Sequence, residues 1–159
     1  GDQIRETNFE TSYLKDSKWD VNQALLQDSI FYTDSVAFHQ TSETLYAITY
    51  KDTLGNLVDE NNKCLTISAQ LLSAAPVDLS LVFNVKRGDS SLFWRGTNVK
   101  PYYSKNTWYQ FIYVFEKADN LLPSDEVVIY FWNPKKENVY IDEIKMYNFA
   151  DSDYNYYKF

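Results

Sequence analysis

Two stretches in which apolar residues occupy alternate positions constrain the fold most strongly. In residues 65–71 and 79–85 an apolar side chain recurs at every second position, and the positions between are mostly polar. Successive side chains of a β-strand point to opposite faces, so each stretch predicts a strand with one buried face. We expect these two strands to pair with each other through a turn near Ala75 and Pro76.

Six other stretches are rich in β-branched and aromatic residues and also predict strands. They are residues 36–40, 44–51, 90–95, 107–116, 126–132 and 139–147. Gly88 predicts a hairpin turn at residues 86–89, and Pro134 predicts an exposed hairpin loop at residues 133–138. Residues 24–27 are compatible both with a helical turn and with a strand. About eight short strands separated by polar turns favour an all-β fold, a two-sheet antiparallel β-sandwich.

The chain has 159 residues and contains no Gly-Ser or Pro-rich segment that would divide it. This length is ordinary for one domain. We predict a single sandwich domain over residues 1–149. Residues 150–159 show no strand or helix period, so we predict a C-terminal extension or linker there.

The composition argues against several classes of function. One cysteine and one histidine exclude an intramolecular disulfide, a multi-cysteine cluster and a multi-histidine zinc site. The four glycines do not form a phosphate-binding loop, and a net charge of −7 disfavours nucleic acid as a partner. The apolar runs are too short to span a membrane as a helix. The polar N-terminal residues carry no signal segment, so we expect either a cytosolic protein or one whose signal has been removed.

Catalysis has little support in the sequence. Cys64 and His39 lack an activating motif, so we expect the thiol to pack in or beside the core. The 22 acidic residues leave a hydrolytic carboxylate pair open, but most of them stand in turns, where solvated charge is the ordinary interpretation. We therefore predict that the chain is not an enzyme.

The 28 aromatic residues carry most of the functional information. We expect most of them to fill the core, including Trp19, Trp108, Phe111 and Phe115, which lie in or beside apolar runs. Sugar rings bind by stacking their apolar faces on flat aromatic rings, and aromatic residues near strand ends or loops are candidates for such contacts. The candidate ligand residues are Trp94, Tyr102, Tyr103 and Trp132 for stacking, with Arg95, Asn98 and Asn133 for hydrogen bonds to ring hydroxyls.

The order of three landmarks resembles that in jelly-roll carbohydrate-binding modules and galactose-binding-like domains of bacterial surface and polysaccharide-degrading proteins. The landmarks are residues 8–10 (Asn-Phe-Glu) followed by Trp19, residues 107–110 (Thr-Trp-Tyr-Gln), and residues 138–146, which contain Val-Tyr-Ile-Asp-Glu-Ile. The resemblance implies a jelly roll and an extracytoplasmic location. It places sugar either on a concave sheet face or in the loops at one end.

The same resemblance implies a structural calcium ion held by Glu10 and Asp142 together with backbone carbonyls. Calcium takes six to eight oxygen ligands, which suits such a set. The loop after Glu10 departs from the family pattern because it lacks glycine and contains Lys15. The alternative is that Glu10 pairs with a cation or with solvent, while Asp142 accepts backbone donors.

The sequence therefore predicts a non-catalytic module that binds neutral polysaccharide or oligosaccharide outside the cytoplasm, with other domains of a larger surface protein as further partners. Two alternatives remain open at this point. One is a structural or protein-interaction domain of a cell-surface lipoprotein or membrane protein without sugar affinity. The other is a jelly-roll enzyme such as a lyase or a glycosidase.

Overall fold

The computed structural model of the chain describes residues 3–7, 18–21, 26–27, 29–30, 32, 37–40 and 46–153. The described strands are β1 (Gln3–Thr7), β2 (Trp19–Val21), β3 (Leu26–Gln27), β4 (Ala37–Gln40), β5 (Tyr46–Thr53), β6 (Cys64–Leu72), β7 (Ser80–Arg87), β8 (Ser90–Asn98), β9 (Tyr109–Glu116), β10 (Glu126–Trp132) and β11 (Val139–Phe149). Short 3-10 helices cover Leu54–Asn56, Lys100–Tyr102 and Asp151–Asp153. Among the described residues no helix has the length and apolar character to cross a membrane.

The strands form two antiparallel sheets. One has the order β3-β4-β11-β6-β9, with β1 also paired to β11, and the other has the order β2-β5-β10-β7-β8. All eight predicted strands are present, as β4 to β11. The three additional strands come from the less regular N-terminal region, where Leu26–Gln27 is a strand. The predicted two-sheet antiparallel β-sandwich is confirmed.

The predicted pairing of β6 with β7 is wrong. β6 lies between β11 and β9 in the six-stranded sheet, while β7 lies between β10 and β8 in the other sheet. Residues 73–79 therefore cross from one sheet to the other. The alternating pattern determines which face of each strand is buried, but two strands that bury their apolar faces in a common core can belong to opposite sheets.

The two predicted hairpins have different outcomes. Residues 86–89 do join the paired strands β7 and β8, and Gly88 adopts a φ of 60° in the turn, which suits a residue without Cβ. Residues 133–138 instead join β10 to β11, which lie in different sheets, so the predicted hairpin there is wrong. This segment arches over one end of the sandwich.

Aromatic rings from both sheets meet in the core. Phe83 of β7 stacks on Phe115 of β9 with ring centroids 4.4 Å apart, and both side chains are buried. The predicted burial of Trp19, Phe111 and Phe115 is confirmed. Trp108 departs from the prediction: it is half-buried just before β9, and its ring meets Tyr32 edge-on.

The single thiol lies in the described core. Cys64 is buried at the start of β6, as predicted, and its Sγ lies 3.6 Å from Oδ1 of Asp151. Burial, with a further contribution from Asp151, raises the pKa of Cys64 to about 12. The thiol is therefore neutral at physiological pH. The first residues of the predicted extension form the 3-10 helix Asp151–Asp153, and residues 154–159 lie outside the described part of the chain.

A buried carboxylate closes the loop before β10. Asp125 accepts hydrogen bonds from Nε and Nη2 of Arg87 at 2.7 and 2.9 Å and from the Leu122 amide at 2.7 Å. The Arg87 guanidinium holds the pKa of this carboxyl below its ordinary value, although burial acts in the opposite direction. The contact joins the end of β7 to the β9–β10 connection.

Acid is expected to weaken this closure. A carboxyl whose pKa is depressed by folding stabilises the protein fully above its unfolded pKa of about 3.9, and the contribution is lost as the pH falls through the folded pKa. We expect Asp125→Asn to lower the free energy of unfolding at pH 7 by about 2 kcal/mol and to reduce its acid dependence. Urea unfolding at pH 7 and pH 3 measures both effects. The exposed Asp119 in the same loop supplies the control Asp119→Asn, and identical unfolding curves for Asp125→Asn and the unmodified protein would contradict the prediction.

Candidate functional site

On the outward side of the five-stranded sheet, the described side chains include three large aromatic ones. Phe83 and Val85 of β7 and Ile129 and Phe131 of β10 are buried in the core, so the alternate residues of these strands point away from it. The pairing with β7 gives the register of β8 in the same way. We call the part of this outward surface around Trp94 the Trp94 face; it consists of Ser80, Val82, Asn84, Trp94, Gly96, Asn98, Val128, Tyr130 and Trp132.

Trp94 is the most prominent ring on this face. Its side chain is 54% exposed, and a Cβ at position 96 would lie only 2.9 Å from Cη2 of the indole. The indole therefore lies along β8 against the bare backbone of Gly96. Val82, which is opposite Gly96 and points outward, is nevertheless fully buried. The rings and their neighbours thus form a continuous layer over the centre of the sheet.

Tyr130 and Trp132 lie on the other side of β7. Tyr130 pairs with Val82, and Trp132 pairs with Ser80. Neighbouring strands are about 4.8 Å apart, so side chains of β8 and β10 are separated by roughly 10 Å across the face. Both aromatic side chains of β10 are half-buried. The face therefore presents aromatic surface on both sides of β7.

Two amide side chains lie among these rings and are held in place. Oδ1 of Asn84 accepts a hydrogen bond of 2.6 Å from the Ser91 hydroxyl. Oδ1 of Asn98 accepts one of 2.8 Å from the Lys100 amide, and its Nδ2 lies 3.4 Å from Oδ1 of Asp78. Fixed amides among aromatic rings are suited to hydroxyl groups, which both donate and accept.

Charge at one end of the Trp94 face is balanced internally. Oδ1 of Asp78 lies 2.8 Å from Nζ of Lys100, and Oδ2 is paired with Nζ of Lys135. Glu137, whose Oε2 accepts a hydrogen bond from the Asp78 amide, supplies the second negative charge, so two carboxylates offset two lysines. Hydrogen bonds from these two lysines lower the pKa of Asp78. The ion pairs leave no large field of one sign beside Asn98, which favours a neutral ligand over an anionic one.

The structure separates the predicted ligand residues. Trp94 and Trp132 share the Trp94 face, whereas Tyr102 and Tyr103 pack against β9 of the other sheet. The Tyr102 hydroxyl donates to the Ile112 carbonyl of β9 at 3.0 Å, and its ring meets Phe111 edge-on. The Tyr103 hydroxyl donates to the Ala74 carbonyl at 3.2 Å. Both tyrosines therefore have structural contacts at the edge of the six-stranded sheet.

Of the three predicted polar partners, Asn98 lies on the Trp94 face, and the other two lie apart from Trp94. Arg95 follows Trp94 in β8 and pairs with Phe83, so it points to the opposite side of the strand. Asn133 is fully buried: its Nδ2 donates to the Glu137 carbonyl at 2.9 Å, and its Oδ1 accepts from the Glu137 amide at 3.0 Å. Its amide clamps the arch between β10 and β11, which accounts for its burial in a polar loop.

The predicted calcium ligands are only partly described. Asp142 is fully buried in β11; its Oδ1 accepts from the Glu143 amide at 2.8 Å and its Oδ2 from the Tyr32 amide at 3.0 Å. These contacts match the alternative in which Asp142 accepts backbone donors. Glu10 lies outside the described residues. Calcium binding by Glu10 and Asp142 stays a prediction.

Sequence reasoning missed Tyr130, Gly96 and Asn84 as parts of this surface. The signal for Tyr130 was present, because Val127, Ile129 and Phe131 alternate as core residues and leave Tyr130 on the same face as Trp132. A glycine inside a strand often marks the close approach of another group, which here is the Trp94 indole.

Several solved structures resemble this chain. The CBM22-1 xylan-binding domain from Paenibacillus barcinonensis Xyn10C is 16% identical with a TM-score of 0.66, and the match covers 94% of this chain and 96% of that one. The C-terminal family 22 carbohydrate binding module of Clostridium thermocellum Xyn10B is 15% identical with a TM-score of 0.56, with 94% of each chain covered. A family 16 carbohydrate binding module is 11% identical with a TM-score of 0.50, covering 77% of this chain and 83% of that one.

No protein-family model matches the chain, and no curated protein matches it. Identities of 11 to 16% establish likeness of fold and not of ligand. The chain is thus a jelly-roll β-sandwich with the architecture of carbohydrate-binding modules.

Proposed function

We propose that this chain is a non-catalytic module that binds a neutral polysaccharide across the Trp94 face. The observation that carries the proposal is the exposed Trp94 indole, which lies on a sheet face that also bears Tyr130 and Trp132. A ring this large exposed on a sheet is a ready stacking platform, because burial of its apolar surface by a ligand is favourable.

The geometry supports an extended ligand. Rings on β8 and β10 are at least two strand spacings apart, roughly 10 Å, and Trp94 is level with Val128, so Tyr130 and Trp132 lie further along the strand. One sugar ring therefore cannot stack on rings of both strands. A polysaccharide that crosses β7 would stack one sugar unit on Trp94 and another on Tyr130 or Trp132. Asn84 lies on β7 between these rings, and its amide would hydrogen-bond hydroxyl groups between the stacked units. Asn98 lies on β8, four residues along the strand from Trp94, and its amide would hydrogen-bond a hydroxyl group beside them.

The similar structures support the same class of ligand. One is named as a xylan-binding domain, and another is the CBM22-1-CBM22-2 tandem domain of the same protein, Xyn10C. We propose by analogy that this chain acts as one module of a larger protein outside the cytoplasm. Xylan is accordingly the first polysaccharide to test.

Titration calorimetry with soluble neutral polysaccharides tests the proposal directly. The panel would comprise xylan, mixed-linkage β-glucan, glucomannan and galactan, with polygalacturonate as an anionic control. We expect at least one neutral polymer to bind and to change the tryptophan fluorescence. Failure of every polymer to bind would contradict the proposal and leave the protein-interaction domain as the better interpretation.

Substitution of Gly96 tests whether polysaccharide binding depends on the position of the Trp94 ring, because it moves the ring without removing it. A Cβ at position 96 would displace the end of the indole, so we expect Gly96→Ala to weaken polysaccharide binding by about tenfold, or about 1.4 kcal/mol. The strand should tolerate alanine, with the free energy of unfolding changed by less than about 1 kcal/mol. Calorimetry and urea unfolding on the same sample measure the two effects.

Ser90→Ala, at an exposed position of the same strand, is the matched control and should bind normally. An unchanged affinity in Gly96→Ala would show that the position of the indole on the sheet does not matter for binding.

A further inference from the structure

A cleft of about 470 Å³ lies on the other sheet, away from the Trp94 face. Its described lining residues are Leu72, Ser73, Ala74, Asn106, Asn138 and Tyr140. They come from the end of β6, the turn before β9 and the start of β11, and these three strands are neighbours. Tyr140 pairs with Leu72 and alternates with the buried Val139 and Ile141, so its ring faces outward into this surface. We call it the Tyr140 cleft.

Hydrogen bonds hold both sides of the Tyr140 cleft in place. On one side, the Ser73 hydroxyl lies 2.5 Å from the Tyr109 hydroxyl and also donates to the Ala75 carbonyl, and Tyr103 donates to the Ala74 carbonyl. On the other side, the Asn133 clamp orders the arch that leads into β11. A cleft whose walls are already ordered loses little entropy when a ligand binds.

The chemistry of the lining indicates the class of ligand. All six described lining residues are uncharged, so a charged ligand would lose hydration without gaining an ion pair. Asn106 and Asn138 are exposed and bring two amide groups to the rim, while the Tyr140 ring and Leu72 supply apolar surface. An aromatic ring beside amides suits a small neutral polyol with one apolar face. The volume lies in the lower part of the range for small-molecule sites, about 300 to 1,000 Å³.

We propose that the Tyr140 cleft is a second saccharide site, which takes a single neutral sugar unit such as a chain end. It differs from the Trp94 face in sheet, in lining and in the size of its ligand. A module with both sites would bind the interior of one polysaccharide on the Trp94 face and the end of a polysaccharide in the Tyr140 cleft. The second site does not depend on the first.

Nuclear magnetic resonance can test the cleft with simple probes. The isotopically labelled protein would be titrated with the methyl glycosides of xylose, glucose, galactose and mannose to tens of millimolar, following the side-chain amide signals of Asn106 and Asn138. We expect saturable shifts of these signals with at least one glycoside, in the unmodified protein and equally in Trp94→Ala. Loss of the shifts in Trp94→Ala would overturn the proposal, because the signals would then report the Trp94 face. Absence of shifts with all four glycosides would overturn it as well.

Two sets of variants complete the test. Asn106 has a φ of 60°, a conformation that glycine adopts freely, so Asn106→Gly removes the amide without straining the turn. We expect the double variant Asn106→Gly and Asn138→Ala to bind the glycoside at least tenfold more weakly, as followed by backbone amide shifts around Leu72. Tyr140→Ala should do the same, while Tyr147→Ala, at another half-buried position of β11, should not. Unchanged affinity in the double variant would overturn the proposal.

Discussion

Trp94→Ala is expected to weaken polysaccharide binding about thirtyfold or more, which corresponds to about 2 kcal/mol. The indole offers the largest exposed aromatic surface on the Trp94 face. Without it, a ligand at this position would contact only Val82 and Gly96. Stability should change little, because more than half of the side chain is already in solvent. We expect the melting temperature to fall by no more than about 3 °C. Calorimetric titration and thermal unfolding on one preparation measure both quantities.

Trp108→Ala is the matched control, since the same chemical change is made at a half-buried tryptophan that contacts Tyr32. It should retain full affinity. An outcome in which Trp94→Ala binds normally but melts much earlier would mean that the Trp94 ring belongs to the packing of the sheet. Trp94 would then have no role in ligand binding.

Phe83→Ala is expected to lower the free energy of unfolding by about 3 to 5 kcal/mol, the usual cost of emptying a large aromatic position in a core. Phe83 is fully buried and touches rings from both sheets. Phe115 stacks on it, Phe93 meets it edge-on at 6.2 Å, and Tyr113 lies 5.8 Å away. Removing it opens a cavity at the contact that joins the sheets. The midpoint of urea unfolding measures the loss.

Phe83→Leu provides the comparison, because it keeps most of the volume and should cost less than about 2 kcal/mol. Polysaccharide affinity should be unchanged in Phe83→Leu, since this side chain points into the core and away from the Trp94 face. A midpoint for Phe83→Ala equal to that of the unmodified protein would contradict the assignment of this ring cluster as the centre of the core.

The position of every strand after residue 36 follows from local pattern, but the pairing of strands does not. Alternation in β6 and β7 places Leu65 and Leu81 on buried faces, and this holds whether the strands are neighbours or lie in opposite sheets. Which strands pair depends on which other strands are available as partners, and therefore on residues that are far apart in sequence. The N-terminal strands are two to five residues long and lie in a region without clear alternation, so no pattern identifies them.

The site could be predicted only in part for a similar reason. An aromatic residue beside polar neighbours can be an exposed ring, as Trp94 is, or a ring whose hydroxyl is needed elsewhere in the fold. The hydroxyls of Tyr102 and Tyr103 are used in this second way, with acceptors at Ile112 and Ala74 that are 10 and 29 residues away in sequence, while the Tyr102 ring is still 38% exposed. Asn133 likewise looks like a loop residue in sequence, yet the arch buries its amide completely.

The contact between Tyr102 and β9 also bears on self-association. β9 is the last described strand of the six-stranded sheet. An unpaired strand edge is a template for pairing with another chain. The Tyr102 hydroxyl donates a hydrogen bond to the Ile112 carbonyl of β9, and the 3-10 helix Lys100–Tyr102 lies against β9. A second copy therefore meets side chains there instead of a free row of backbone groups. Copies of this chain at high local concentration thus meet an obstacle to fibril formation at that strand.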